Sequence, residues 1–489
     1  MRTSVAIFLL TAGSFVLGLA RDLAIAKYFG ASWLTDALFL ALVVPVFFEN
    51  IFGIALRDAL IPHFKLLLLQ NRAAYEQEVS RLGAFTLLLS AGILLLFVPR
   101  FWVTLLAPGW EGDSLGLATL LYTLAIPLVV IHAWGYFQTA VLNSEGIFVL
   151  PMWRSVMLNM GALVGIALYP GHIASVLVGI VTLLVCHSMW MQSRLGVRGL
   201  DLTGICRREV VTSQLTFLKA FLPVLGATAL LQGVVISERI FSSWLQPGSL
   251  SALSYAYRLT TVPLILFSVS VLTMIFPLLV ARRLNGLEDD FCLTLEKGLK
   301  VALIALVPAA VFLQVFAESI TSLLFEHGVF HAHETAMTAS AVAGYAAGLP
   351  FMGLALLGSR VILALSQGRV LLKSALLGLV ITVLVQGVSF ATWNTLGLAT
   401  AVSIGAAVQA LVLWRHILRS VRVQAFWPTI VRWLGAALIV GAVLHTWPWR
   451  NMLGLFAGGL GMLVGLLACV WCFGERGIFS RRLLHFETQ

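Results

Sequence analysis

Charge is what this chain has least of. Only 11% of its 489 residues are Asp, Glu, Lys or Arg, where a soluble protein carries about 25%. That scarcity excludes an ordinary water-covered globule, and 60% hydrophobic residues is more than a soluble core needs. Alternating polar and apolar segments of about ten residues, the mark of a membrane β-barrel, are missing. No G-x-x-x-x-G-K-[ST] occurs, which excludes ATP hydrolysis by a P-loop. The glycine-rich Gly458-Gly-Leu-Gly-Met-Leu-Val-Gly465 lies inside an apolar run with no strand before it and reads as close helix packing. No Ser/His/Asp or paired-carboxylate constellation with catalytic spacing is visible, so the chain is not read as an enzyme. Low-complexity segments are absent. The five cysteines, Cys186, Cys206, Cys292, Cys469 and Cys472, are scattered. Cys469-Val-Trp-Cys472 spells C-x-x-C inside the last apolar span without ligand-bearing neighbours, and reads as buried small hydrophobes. His331-Ala-His333, in the loop Phe325–Glu334, has zinc-ligand residue types, but its loose spacing favours a solvated loop. No metal or cofactor is expected.

What is present is apolar sequence in lengths of roughly 20 residues or more, enough to cross a bilayer as helices. The runs fall at about 4–28, 33–64, 82–107, 116–142, 147–169, 172–193, 215–243, 250–281, 294–325, 336–366, 371–391, 395–417, 428–446 and 452–474. The first six resemble the second six. Ile126-Pro127 followed by Ala140-Val-Leu-Asn-Ser-Glu-Gly146 returns as Leu349-Pro350 followed by Ala364-Leu-Ser-Gln-Gly368. Thr35–Pro45 likewise aligns with Leu253–Pro263. The predicted fold is an all-α polytopic membrane protein of about 14 helices, with two pseudo-symmetric six-helix lobes and two appended helices. The lobes are 1–193 and 215–420, joined by a linker at 194–214 and followed by 421–489. Repeated six-helix halves commonly bind substrate between them and rock around it. Residues 1–20 imitate a signal peptide, yet the apolar helix continues into Arg21-Asp22, so cleavage is not expected.

The net charge of +10 does not point to nucleic acid. With the amino terminus inside, 23 of the 31 lysines and arginines fall in segments on that same side, and only Arg100 and Arg450 in opposite loops. This asymmetry follows the positive-inside rule and places both termini in the cytoplasm. Arg154 is counted among the cytoplasmic group. Six basic residues remain within spans: Arg21, Lys27, Arg57, Arg239, Arg258 and Arg360. The acids there are Asp22, Asp36, Glu49, Asp58 and Glu238. A charge near the bilayer centre costs at least about 2.5–3.5 kcal/mol, so it is paired, faces water, or has a function. All but Arg360 fall on spans one, two, seven and eight, which correspond under the repeat and would line one cavity. Arg21 and Arg258 suit an anion, since guanidinium binds phosphate bidentately. The alternative is mutual pairing, Arg21 with Asp36 and Arg258 with Glu49 or Glu238. Lys27, Arg57 and Asp58, near span ends, read as snorkelling charges.

Val16-Leu-Gly-Leu-Ala-Arg-Asp22, Tyr28-Phe-Gly-Ala31 and Thr35-Asp-Ala37 resemble the first two helices of the MurJ/MviN lipid II flippases, in the multidrug/oligosaccharidyl-lipid/polysaccharide exporter superfamily. Ser254-Tyr-Ala-Tyr-Arg-Leu259, Phe276-Pro277 and Ser322–Phe330 extend the resemblance along nearly the whole chain. It implies a flippase moving a polyprenyl-pyrophosphate-linked saccharide, lipid II or a related exopolysaccharide unit, across the bacterial inner membrane by alternating access. Arg21, Asp36 and Arg258 match charged cavity positions of the family, and the appended helices would form a groove for the lipid tail. The resemblance also implies a drive from membrane potential or a cation gradient. Glu238 falls near an acidic cation-site position, although the Asn/Asp partners on span eleven are not evident. Two departures stand out. Ser14-Phe15 and Glu49-Asn50 occupy places where the family carries arginine, which weakens the anion field and makes Glu49 a candidate for ion coupling. Expected partners are the lipid-linked glycan, membrane lipids and cell-envelope polysaccharide synthesis enzymes, with no nucleic acid and a monomeric state. A multidrug/cation antiporter of the same superfamily is the alternative. It would use Glu49 and Glu238 in an acid-lined, aromatic site. A non-transporting scaffold for cell-wall enzymes would have no use for a charged cavity.

Overall fold

The computed structural model describes residues 2–50, 54–95, 98–195, 230, 232–267, 271–421 and 426–445, with single positions at 454, 458, 459 and 461. Among them every regular element is a helix, as apolar sequence in lipid requires, because no water is there to take unpaired backbone groups. The chain divides into two compact units, one of Met1–Ser251 with His327–Phe330, the other of Ala252–Glu326 with His331–Gln489. The linker expected at 194–214 lies almost wholly outside the described residues.

The amino-terminal unit runs α1 (Arg2–Phe29), α2 (Trp33–Phe48), α3 (Ile54–Gln70), α4 (Arg72–Leu94), α5 (Pro99–Leu106), α6 (Gly112–Ala125), α7 (Pro127–Ser144), α8 (Val149–Leu168) and α9 (Ala174–Arg194), then α10 over 232–242. Local signals set the boundaries. Asn71 caps α4 by accepting from the amides of Ala73 and Ala74 at 2.9 and 3.2 Å. Proline opens α5 and α7, where its missing N–H costs nothing. α8 and α9 approach backbone to backbone. A Cβ on Gly161 would lie 2.5 Å from the Gly179 carbonyl, and one on Gly165 would strike that of Ser175. Elsewhere α3, α4 and α7 close on Phe64, whose ring meets Tyr75 and Phe137 edge-on at 6.0 and 5.9 Å.

The second unit holds most of α11 (Ser249–Phe267), then α12 (Thr273–Leu284), α13 (Glu288–Val315), α14 (Ala317–Phe325), α15 (Ala332–Ala364), α16 (Gly368–Ser420) and α17 (Phe426–His445). α16 is two helices meeting at Asn394, where φ is 49° and ψ −131°, close to the expected boundary between 391 and 395. α15 and α16 are tied by Ser403 Oγ donating to the Gly344 carbonyl at 2.7 Å and Trp414 Nε1 donating to that of Leu354 at 3.0 Å.

The repeat survives in backbone detail. α7 ends with the Ile147 amide donating to the Leu142 carbonyl at 2.8 Å around Gly146, φ 86°. α15 ends with the Gln367 amide donating to that of Ile362 at 3.0 Å around Ser366, φ 58°. Both are the same helix-terminating turn, 220 residues apart.

Eight of the described helices are long and apolar enough to cross a membrane, or nine if α4 and α5 form one bent span, so fourteen is not reached among the described residues. Residues 51–53, 96–97 and 268–270, within spans two, three and eight, lie outside the described residues, as do parts of spans seven and fourteen. Pro45, Pro263, Pro277, Pro308 and Pro350 sit within continuous helices. Pro127 does divide two helices. Inside a bundle, neighbouring groups absorb the bond that a proline removes.

Candidate functional site

Arg21 lies in the second half of α1. Its Nε and Nη2 both donate to Asp22 Oδ1, at 2.9 and 2.7 Å. Adjacent helix positions point about 100° apart, so the arginine folds back around its own helix. The pair is nearly dry, the side chains 14% and 4% exposed, as a charge removed from water requires.

Asp36, in the first turn of α2, is buried. Its Oδ2 accepts from the Gly248 amide at 2.6 Å, and its Oδ1 from the Ser251 amide at 2.7 Å and hydroxyl at 2.5 Å. Those amides open α11 and have no partner within the helix. The carboxylate is therefore a capping group supplied from another element, placed where the helix dipole favours negative charge. Thr35 Oγ1 donates to Ser251 Oγ at 3.0 Å and completes the junction. The pairing of Asp36 with Arg21 considered from sequence is replaced by these backbone donors.

Glu49 stands just past α2 and finds its partners in its own unit. Its Oε1 is 3.7 Å from His132 Nδ1 and accepts from the Tyr136 hydroxyl at 3.2 Å. Arg154 Nη2 donates to the same Nδ1, and its guanidinium lies 4.9 Å above the Tyr136 ring. Arg154 corrects the sequence reading most sharply. Counted with the cytoplasmic loops, it sits in the second turn of α8 and is only 5% exposed. Gly135 makes the room, since a Cβ there would collide with Arg154 Nη1. A signal did exist. His132, Gly135, Tyr136 and Thr139 form a polar and small stripe at positions i, i+3, i+4 and i+7 of α7.

Glu238, on α10, is buried, with Oε1 3.8 Å from Arg239 Nη1. Arg239 Nη1 also donates to the Leu250 carbonyl at 3.4 Å. Arg258 sits half-buried on α11. Arg360, on α15, lies over the Phe276 ring at 5.5 Å. Gln386, on the first half of α16, is fully buried, and among the described residues neither of its amide atoms has a hydrogen-bond partner; it is a polar residue of span eleven that no sequence motif marks. His331 precedes α15, with its amide donating to Glu334 Oε2 at 2.9 Å. Among the described residues no three His, Cys, Asp or Glu side chains gather to hold a metal. Cys469 and Cys472 lie outside them.

Among the described residues these charges on helices are largely buried and engaged, as a charge within a span requires. A family model described as "Lipid II flippase MurJ" matches residues 25–463. The lipid II flippase MurJ of Burkholderia cenocepacia is 25% identical, covering 97% of this chain and 98% of that protein. The probable lipid II flippase MurJ of Aquifex aeolicus is 29% identical, covering 70% of this chain and 68% of that protein. Among solved structures, a lipid II flippase MurJ in the inward closed conformation superposes with a TM-score of 0.85 at 22% identity, over 97% of this chain and 100% of the other. An inward-facing multidrug resistance MATE transporter of the MOP superfamily superposes at 0.61 and 18% identity, over 85% and 94%.

Proposed function

We infer that this chain, which belongs to the lipid II flippase MurJ family, moves a polyprenyl-pyrophosphate-linked saccharide across the bacterial inner membrane by alternating access. The match to that family over residues 25–463 carries the reading. The substrate is lipid II or a related exopolysaccharide unit. Arg21 and Arg258 are the groups we assign to the pyrophosphate, because a planar guanidinium presents paired donors to phosphate oxygens. Asp36 serves by closing the start of α11, the helix that carries Arg258. The saccharide crosses while the lipid tail stays in the bilayer beside the appended helices, of which α17 packs on α13. No bond is made or broken, so the role is transport and not catalysis.

The drive is membrane potential or a cation gradient, with Glu49 and Glu238 as the coupling acids. The protein acts as a monomer with both termini cytoplasmic, next to cell-envelope polysaccharide synthesis enzymes. The antiporter alternative has less support, since the Glu49 carboxylate is already engaged by His132 and Tyr136 and does not await a cationic drug.

Complementation tests the assignment. In a strain that depends on this gene, Arg21→Ala and Arg258→Ala should each abolish growth at normal membrane levels of protein, while the lysine variants restore part of it. Full growth of both alanine variants refutes the role given to the two arginines.

A further inference from the structure

We propose that His132 is a proton-binding site of the amino-terminal unit, built by Glu49, Tyr136 and Arg154 around one imidazole nitrogen. Nδ1 faces two groups of opposite sign. Arg154 Nη2 donates to it, and Glu49 Oε1 is 3.7 Å away. A guanidinium nitrogen only donates, so here Nδ1 accepts, and the neutral ring carries its proton on Nε2. A proton arriving from water at Nδ1 turns that atom into a donor. It then meets a guanidinium it cannot bond and a carboxylate that it can. Glu49 and Arg154 balance each other, so the added proton leaves the cluster with one net positive charge. Arg154 is repelled at contact distance, and Nδ1–H closes on Glu49. Binding one proton thus exchanges the arginine for the glutamate as the imidazole's partner.

The surroundings suit an exchange better than a static ion pair. Among the described residues Arg154 Nε and Nη1 are buried without hydrogen-bond partners, so there the imidazole is the hydrogen-bonding contact that holds the guanidinium. Tyr136, bonded to Glu49 at 3.2 Å, keeps the carboxylate oriented in both states. The neighbouring helices bring few other titratable groups. α3 adds Arg57, which acts on Tyr136, and α9 adds His187, which feels Arg154. From α6 comes the buried Tyr122. α4 meets α7 through Tyr75, whose hydroxyl reaches Ser144 and Glu145, about 18 Å along the helix from His132. Because the cluster joins α2, α7 and α8, its protonation alters how three helices pack. Use of that proton to drive transport rests on the transport reading above; binding of the proton does not.

The test uses the full-length protein in lipid nanodiscs without substrate, with 15N-labelled histidine followed by NMR from pH 4 to 8.5. One imidazole signal, identified by its absence in His132→Gln, should convert between neutral and protonated forms. Tryptophan fluorescence should report a transition at the same pH, lost in that variant. Glu49→Gln removes the counter-ion and should move the midpoint to lower pH by about 1–3 units, and Arg154→Met should move it to higher pH. A His132 signal that stays neutral throughout overturns the site, as does a fluorescence transition unchanged in His132→Gln. Should His132→Gln fail to fold, shifts of Glu49→Gln and Arg154→Met in the same direction, or none, overturn it equally. Loss of flipping in a separate vesicle assay would count against the transport reading and not against this site.

Discussion

Replacing Asp36 by asparagine separates a capping role from a substrate role. Two backbone amides and one hydroxyl, at 2.5–2.7 Å, converge on this buried carboxylate. Asparagine keeps the shape but offers one acceptor oxygen in place of two. Whichever way its amide turns, an NH2 group faces either the Gly248 or the Ser251 amide. A hydrogen bond to a charged group contributes about 1.5–3 kcal/mol, and a buried donor left unsatisfied costs about 1–3 kcal/mol. The variant should therefore lose about 2–6 kcal/mol, and Asp36→Ala, which abandons all three donors, should lose more. For a folding unit of 150–250 residues each kcal/mol lowers Tm by roughly 2–4 °C. The full-length asparagine variant in detergent should therefore unfold at least roughly 4 °C below the parent, whether followed by intrinsic fluorescence or by the protein surviving heating as a monodisperse peak. An unchanged Tm refutes the capping role. An unchanged Tm together with lost flipping would place Asp36 on the substrate instead.

Two further substitutions probe how the helices are held. Gly179→Ala puts a methyl group against the Gly161 backbone and should force α8 and α9 apart, at a cost of about 1–3 kcal/mol or more; folded yield after membrane extraction reads this, and parental yield would contradict the close approach. Trp414→Phe deletes the bond to the Leu354 carbonyl at 3.0 Å in a buried site and should destabilise by about 1–3 kcal/mol, while Trp393→Phe, at a position 59% exposed, should leave Tm unchanged.

What a proline does depends on where the fold puts it. Pro127 opens a helix, whereas Pro350 rides inside a 33-residue helix. At Pro127 the ring stands at a helix start, where no bond is lost, while inside α15 packed neighbours compensate for the bond that Pro350 removes. The end of α15 shows the converse. Ser366 adopts a positive φ that its residue type does not announce, in the same terminating turn that Gly146 makes at the end of α7. Sequence alone groups Arg154, the eighth residue of the span 147–169, with the cytoplasmic arginines, because charge asymmetry is counted along the chain and not by contact. Only the missing side chain of Gly135 on α7 turns it inward.

From composition and periodicity alone follow the membrane class, the positions of most helices, the internal duplication and the presence of costly charges within spans. Hydrophobic length and backbone self-pairing are local properties of a chain in lipid, so they are written along it. Which charge meets which is not local. Glu49, His132 and Arg154 come from three elements, and Asp36 finds its donors more than 200 residues away. Desolvation demands a partner for each buried charge but does not name it. Helix packing, set by small residues such as Gly135 and Gly179, makes that choice.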